Sequence, residues 1–156
     1  MKKRIHFERA YTAGVEAVWD LWTTKAGLEA WWGPEGFTVV VRKLELRPGG
    51  VLEYAMTASA PAQVEFMKRA GMPLTTLARV TYTEVVRHRR LGYKHLVDFV
   101  AGLPPYEVAT EVEFESSPTG TKMTVTIDAM HDEPWTQRAA AGWESQLGRL
   151  GTRLES

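Results

Sequence analysis

The sequence predicts an α+β fold in which a curved sheet wraps around a long C-terminal helix. Three observations predict it. Residues Ala30-Trp31-Trp32-Gly33-Pro34-Glu35-Gly36-Phe37 run from two adjacent tryptophans through a Gly-Pro turn into a valine-rich stretch. Downstream, 106–115 and 122–129 alternate apolar and polar residues, the signature of a sheet with one buried and one wet face. Near the end, Trp135, Ala139, Trp143, Leu147, Leu150 and Leu154 recur by fours and a three, one continuous helical stripe.

The elements follow in order. Ile5, Phe7, Ala10 and Tyr11 alternate weakly and suit a first strand over 4–11. Val15, Val18, Trp19 and Trp22 fall at i, i+3, i+4, i+7 and form one helix face that stops near Thr23-Thr24. A second short helix spans Lys25 to Trp32 and ends at Gly33-Pro34, because proline cannot continue the helical ladder. Phe37 to Leu46 reads as a strand, Arg47-Pro48-Gly49-Gly50 as a tight turn, and Val51 to Ala58 as the return strand with Leu52, Tyr54 and Met56 on one face. Within Ser59 to Pro73, Pro61 fits a first helical turn and Gly71 a C-terminal cap, giving a helix of one or two turns.

Four strands follow. Leu77 to Val86 places Val80, Tyr82, Glu84 and Val86 on one face, and Leu91 to Val100 places Tyr93, His95, Val97 and Phe99 on one face. Tyr106 to Glu115 turns Val108, Thr110, Val112 and Phe114 inward, and Lys122 to Ala129 does the same with Met123, Val125, Ile127 and Ala129. The last helix runs from about Glu133 to Leu154, with Asp132 as its N-cap.

Composition narrows the function classes. The length of 156 residues fits one domain. Lysine plus arginine and aspartate plus glutamate both number 19, which argues against a general nucleic-acid binder. There are no cysteines, so disulfides and thiolate chemistry are excluded. No apolar run reaches the roughly 18 residues of a membrane span, and no signal-peptide core follows the basic start. The expectation is a soluble, cytoplasmic protein without membrane insertion. Arg87-His88-Arg89-Arg90 reads as a solvated β-turn, and His131-Asp132-Glu133 as a helix cap. The four histidines, at 6, 88, 95 and 131, lack zinc-ligand spacing, and no phosphate-loop, dinucleotide or nucleophile-elbow motif occurs, so no metal and no cofactor are expected.

Val18-Trp19, Trp31-Trp32-Gly33-Pro34 with Gly36-Phe37, Leu46-Arg47-Pro48-Gly49-Gly50, Tyr82-Thr83-Glu84-Val85 and Gly142-Trp143 with Leu147 and Leu150 occur in one order along nearly the whole chain. In that order they resemble the activator-of-heat-shock-protein-90-ATPase-like family of the START-related helix-grip (SRPBCC) superfamily. The resemblance implies a seven-stranded antiparallel sheet gripping the C-terminal helix, with a cavity between them. It does not imply one activity, since the superfamily includes carriers, cyclases, hormone receptors and co-chaperone domains. The eukaryotic co-chaperone carries a further N-terminal domain for which this chain has no room, so direct chaperone activation is not expected. A homodimer is compatible with the family.

Strand alternation and the implied cavity nominate ligand-binding residues: Trp32, Tyr54, Met56, Tyr82, Glu84, Tyr93, His95, Val112 and Met123. The same set also describes an ordinary packed core. His95 is the sharpest candidate, because an imidazole in an apolar wall titrates near neutral pH. Of the adjacent tryptophans, about 100° apart on a helix, Trp31 is expected to pack and Trp32 to sit nearer the cavity. Binding of a small hydrophobic or aromatic molecule without catalysis is the first reading, and no catalytic residue is assigned. The alternatives are a cyclase- or hydrolase-type enzyme using His95 with Tyr54, Tyr82 or Glu84, and a co-chaperone-like interaction module.

Overall fold

The computed structural model describes residues 3–155. Its elements are β1 (Arg4–Tyr11), α1 (Val15–Thr23), α2 (Lys25–Trp31), β2 (Phe37–Leu44), β3 (Val51–Ala58), α3 (Pro61–Arg69), β4 (Thr75–Val86), β5 (Arg90–Val97), β6 (Tyr106–Ser117), β7 (Gly120–Asp128) and α4 (Glu133–Glu155). The seven strands form one antiparallel sheet in the order β1-β7-β6-β5-β4-β3-β2. After β1, every strand pairs with its neighbour in sequence, so the sheet is a meander closed by β1 against the last strand. The helix-grip arrangement expected from the sequence is present, with α1, α2 and α4 on the concave face.

Local chemistry sets the boundaries. The Thr24 hydroxyl accepts from the Gly27 N–H and caps α2. The Trp135 N–H donates to Asp132 Oδ1, which caps α4 as expected. In the turn after β2, the Gly50 N–H donates to the Arg47 carbonyl. The expected charged turn holds too: the Arg89 N–H donates to the Val86 carbonyl, with His88 at a φ of 64°. The helix α3 is longer than expected, nine residues, and rests on Met67 while Phe66 points outward.

Two β-bulges bend the sheet, one between Val41 and Lys43 and one between Tyr82 and Glu84. Each inserts a residue and adds local twist. The second overturns a sequence expectation. Beyond Tyr82 the strand changes phase, so Val85 faces the core while Glu84 and Val86 face outward. Strict alternation through this strand therefore holds only as far as Tyr82.

The core divides into two zones along the strands. Under α1 and α2, Leu91, Val112, Phe114, Met123 and Val125 pack tightly and are almost fully buried. Trp22 lies over them, its indole N–H donating to Met123 Sδ at 3.3 Å. Trp22, Trp31, Trp32 and Trp143 form a contiguous cluster: Trp22 lies 4.8 Å from Trp31 and 5.5 Å from Trp32 between ring centres, and Trp143 lies 5.7 Å from Trp32. Each edge-to-face pair adds about 0.5–1.5 kcal/mol beyond area burial. The Trp31 indole N–H is satisfied by the Leu21 carbonyl at 2.7 Å, so this ring is wholly structural. At the other end of the strands the sheet and α4 diverge.

Candidate functional site

Where they diverge lies a cavity of about 300 Å³. Its floor is sheet: Tyr54 and Met56 from β3, His95 and Val97 from β5, Val108 and Thr110 from β6, and Ile127 from β7. Its roof is α4, through Trp135, Arg138, Ala139, Gly142, Trp143 and Gln146. Trp32, Gly33 and Pro34 close one side, and Phe99 and Trp135, 5.9 Å apart between ring centres, flank another.

The geometry separates the nominated residues into three groups. Trp32, Tyr54, Met56 and His95 line the cavity. Tyr82 and Tyr93 face inward but border a separate void of about 10 Å³ beneath Trp32, while Val112 and Met123 lie in the tightly packed zone. All four share the sheet face of Tyr54, Met56 and His95, so alternation alone does not separate them. Position along the strand, which alternation does not report, decides which of them meets the cavity. Glu84 lies on the outer face, where it accepts from Arg90 Nε at 2.6 Å.

Sequence reasoning missed the α4 wall. Residues 135, 138, 139, 142, 143 and 146 are spaced as one helix face, a legible signal that was absorbed into the packing stripe. In the structure the stripe divides: Leu147 and Leu150 are core, whereas Trp135, Ala139 and Trp143 are cavity wall. Phe99, on the inward phase by alternation, lies beyond the end of β5 and also borders the cavity.

A polar clamp holds the Gly33-Pro34 side in place. Gly33 and Gly36 both take a φ of 88°, a region closed to most side chains, and so turn the chain sharply between α2 and β2. From α4, Gln146 Oε1 accepts from the Gly33 N–H at 3.0 Å and Ser145 Oγ from the Glu35 N–H at 2.9 Å. Arg149 Nη1 lies among the carbonyls of Trp32, Gly33, Pro34 and Phe37, at 3.4, 3.0, 3.2 and 3.3 Å. The tryptophan-glycine-proline motif is thus the part of the turn that the C-terminal helix grips.

Electrostatically the cavity is quiet. Burial pushes the Tyr54 hydroxyl up to about 12, tempered by a hydrogen bond with Trp32. Burial likewise raises Tyr93 well above its ordinary value, and Tyr82 is raised for the same reason. All three stay protonated at neutral pH. Tyr93 Oη reaches no partner in hydrogen-bond geometry; Thr110, opposite it on β6, is near enough only to temper the shift. Burial lowers His95 below its ordinary value, against a smaller opposing pull from Asp98, so the ring is neutral at pH 7. No group of three or more potential metal ligands occurs among the described residues. No helix among them is long and apolar enough to cross a membrane.

The architecture recurs in solved structures. A protein from Chromobacterium violaceum superposes with a TM-score of 0.80 at 23% identity, covering 98% of this chain and 97% of that one. The AHSA1 protein from Silicibacter pomeroyi gives 0.76 at 20% identity, covering 98% of both chains. An AHSA1-like protein from Aeromonas hydrophila gives 0.73 at 23% identity, with 98% and 92% covered. At these identities the likeness is one of fold. Among curated proteins none matches the sequence. The family described as Activator of Hsp90 ATPase homolog 1-like protein matches residues 12–155, nearly the whole chain, and this protein belongs to that family.

Proposed function

We propose that the protein binds a small hydrophobic or aromatic molecule between α4 and the sheet, without transforming it. The observation that supports this is the cavity itself: about 300 Å³, walled by Trp32, Met56, Trp135 and Trp143, with few polar groups. That volume stands at the lower end of the ~300–1,000 Å³ of ligand sites, so it suits a molecule of one or two rings. Methionine in the wall adapts to irregular outlines.

The enzymatic alternative is weakened because two of the three nominated partners of His95 lie elsewhere. Glu84 is engaged by Arg90 on the outer face, and Tyr82 borders the other void. His95 and Tyr54 share the cavity, but no hydrogen bond joins them among the described residues, and the high Tyr54 value keeps it from acting as a base.

Titration of the purified protein with a panel of aromatic polyketides and fatty acids tests the reading. Because Trp32 and Trp143 are in the wall, a bound ring alters tryptophan emission and raises the melting temperature. A panel that moves neither signal would sink the proposal.

A further inference from the structure

The direction of the hydrogen bonds in the cavity wall narrows the ligand class further. Gln146 lines the cavity and is only 7% exposed. The Gly33 backbone N–H, which can only donate, is bound to the side-chain oxygen of Gln146 at 3.0 Å. That contact fixes the amide: its oxygen faces Gly33 and its NH2 faces the other way. Among the described residues nothing accepts from that NH2. Arg138, also in the wall, is held over the Trp135 ring at 4.9 Å and has no carboxylate partner among the described residues. The carboxylate in the wall, Asp128, is already engaged by Arg4 Nε at 3.1 Å. Thr110, Tyr54 and His95 can each donate or accept and impose no direction. The unengaged polar groups of fixed sign are therefore donors.

We infer that the cavity selects a ring compound bearing a carbonyl-type oxygen, which accepts from the Gln146 side-chain NH2. This rests on the ligand-binding reading above and deepens it. Facing the cavity, the NH2 can be satisfied by water until a ligand displaces it; a ligand oxygen takes over that bond, whereas a hydrocarbon of the same shape strips the water and leaves the donor unsatisfied. Carbonyl compounds fit, and isosteres that lack the oxygen fit poorly.

The test compares 2-acetonaphthone with 2-isopropenylnaphthalene, which has nearly the same outline with a methylene in place of the oxygen. Affinities are read by tryptophan fluorescence and calorimetry on the full chain. One hydrogen bond kept by the ketone and lost with the hydrocarbon predicts about tenfold tighter binding of the ketone. Gln146→Glu keeps an oxygen for the Gly33 N–H but removes the NH2. It should abolish the preference, read as the ratio of the two affinities within the variant, whatever the carboxylate does to both. Equal affinities in the wild-type protein, or a preference that survives in a folded Gln146→Glu variant, overturns the inference and leaves the binding proposal standing. If neither compound binds, the inference falls; the binding proposal falls with it only when the panel of polyketides and fatty acids is silent as well. Should the variant not fold, the Gln146 side-chain amide resonances of the wild-type protein decide. A shift with the ketone and none with the hydrocarbon supports the assignment, and the same response to both overturns it.

Discussion

Replacing Arg149 with methionine should destabilise the protein far more than loss of a surface arginine ordinarily does. Arg149 Nη1 lies within 3.4 Å of four carbonyls, those of Trp32, Gly33, Pro34 and Phe37. One Nη carries two hydrogens, so two charge-assisted bonds are made at a time, shared among the four acceptors. At about 1.5–3 kcal/mol for each bond to a charged group, the gross loss is about 3–6 kcal/mol. Methionine preserves most of the aliphatic packing, and the site is only half-buried, so water recovers part of the loss. A net cost of about 2–3 kcal/mol remains, within the range for breaking a partly buried network. For a chain of this length that lowers the melting temperature by about 4–12 °C. Urea denaturation with an unchanged m-value would locate the effect in the folded state. Arg149→Lys should recover part of the stability, because an ammonium keeps the charge but not the flat fork. If Arg149→Met melts within about 0.5 kcal/mol of wild type, as ordinary surface changes do, the clamp is not what holds the turn.

Three further outcomes follow from the site. Burial holds His95 below its ordinary 6.5, so as pH falls through that value the unfolded chain takes up the proton first and stability drops, while above pH 7 the effect vanishes. NMR titration should place the His95 midpoint below 6.5, and His95→Leu should flatten the fall in stability between neutral and mildly acidic pH; a midpoint at or above 6.5 contradicts the burial argument. Tyr93→Phe removes a buried hydroxyl that has no hydrogen-bond partner, and should raise stability by about 1 kcal/mol, or about 2–4 °C; a loss of similar size would reveal a partner for that oxygen. A Cβ at Gly142 meets nothing within 4 Å, and the residue lines the cavity, so Gly142→Leu should gain about 1 kcal/mol of helix stability while its longer side chain fills the cavity and abolishes aromatic binding, as calorimetry and denaturation would show together.

What the sequence determined by itself was periodicity and punctuation. Alternation at Val108, Thr110, Val112 and Phe114 assigned the buried face of β6 correctly, because the pleat permits no other phase for an uninterrupted strand. The Gly33-Pro34 stop, the Asp132 cap and the stripe from Trp135 to Leu154 placed the helices to within a residue or so, because these signals act on the local backbone. Trp31 packs and Trp32 borders the cavity, as expected, but helical geometry is not the reason: Trp32 is the C-cap of α2, with extended backbone at ψ 142°. Tertiary structure decided the rest. The bulge after Tyr82 turned Glu84 outward, a register event that depends on the partner strand. The divergence of α4 from the sheet decided that Met56 and His95 face open space while Val112 and Met123, equally inward, are sealed. Ser145, Gln146 and Arg149 meet a turn more than 100 residues away in sequence, and no local pattern marks that contact. Alternation tells which side of a strand faces inward; how far along it the neighbouring layer stays in contact is set by packing between elements distant in the chain.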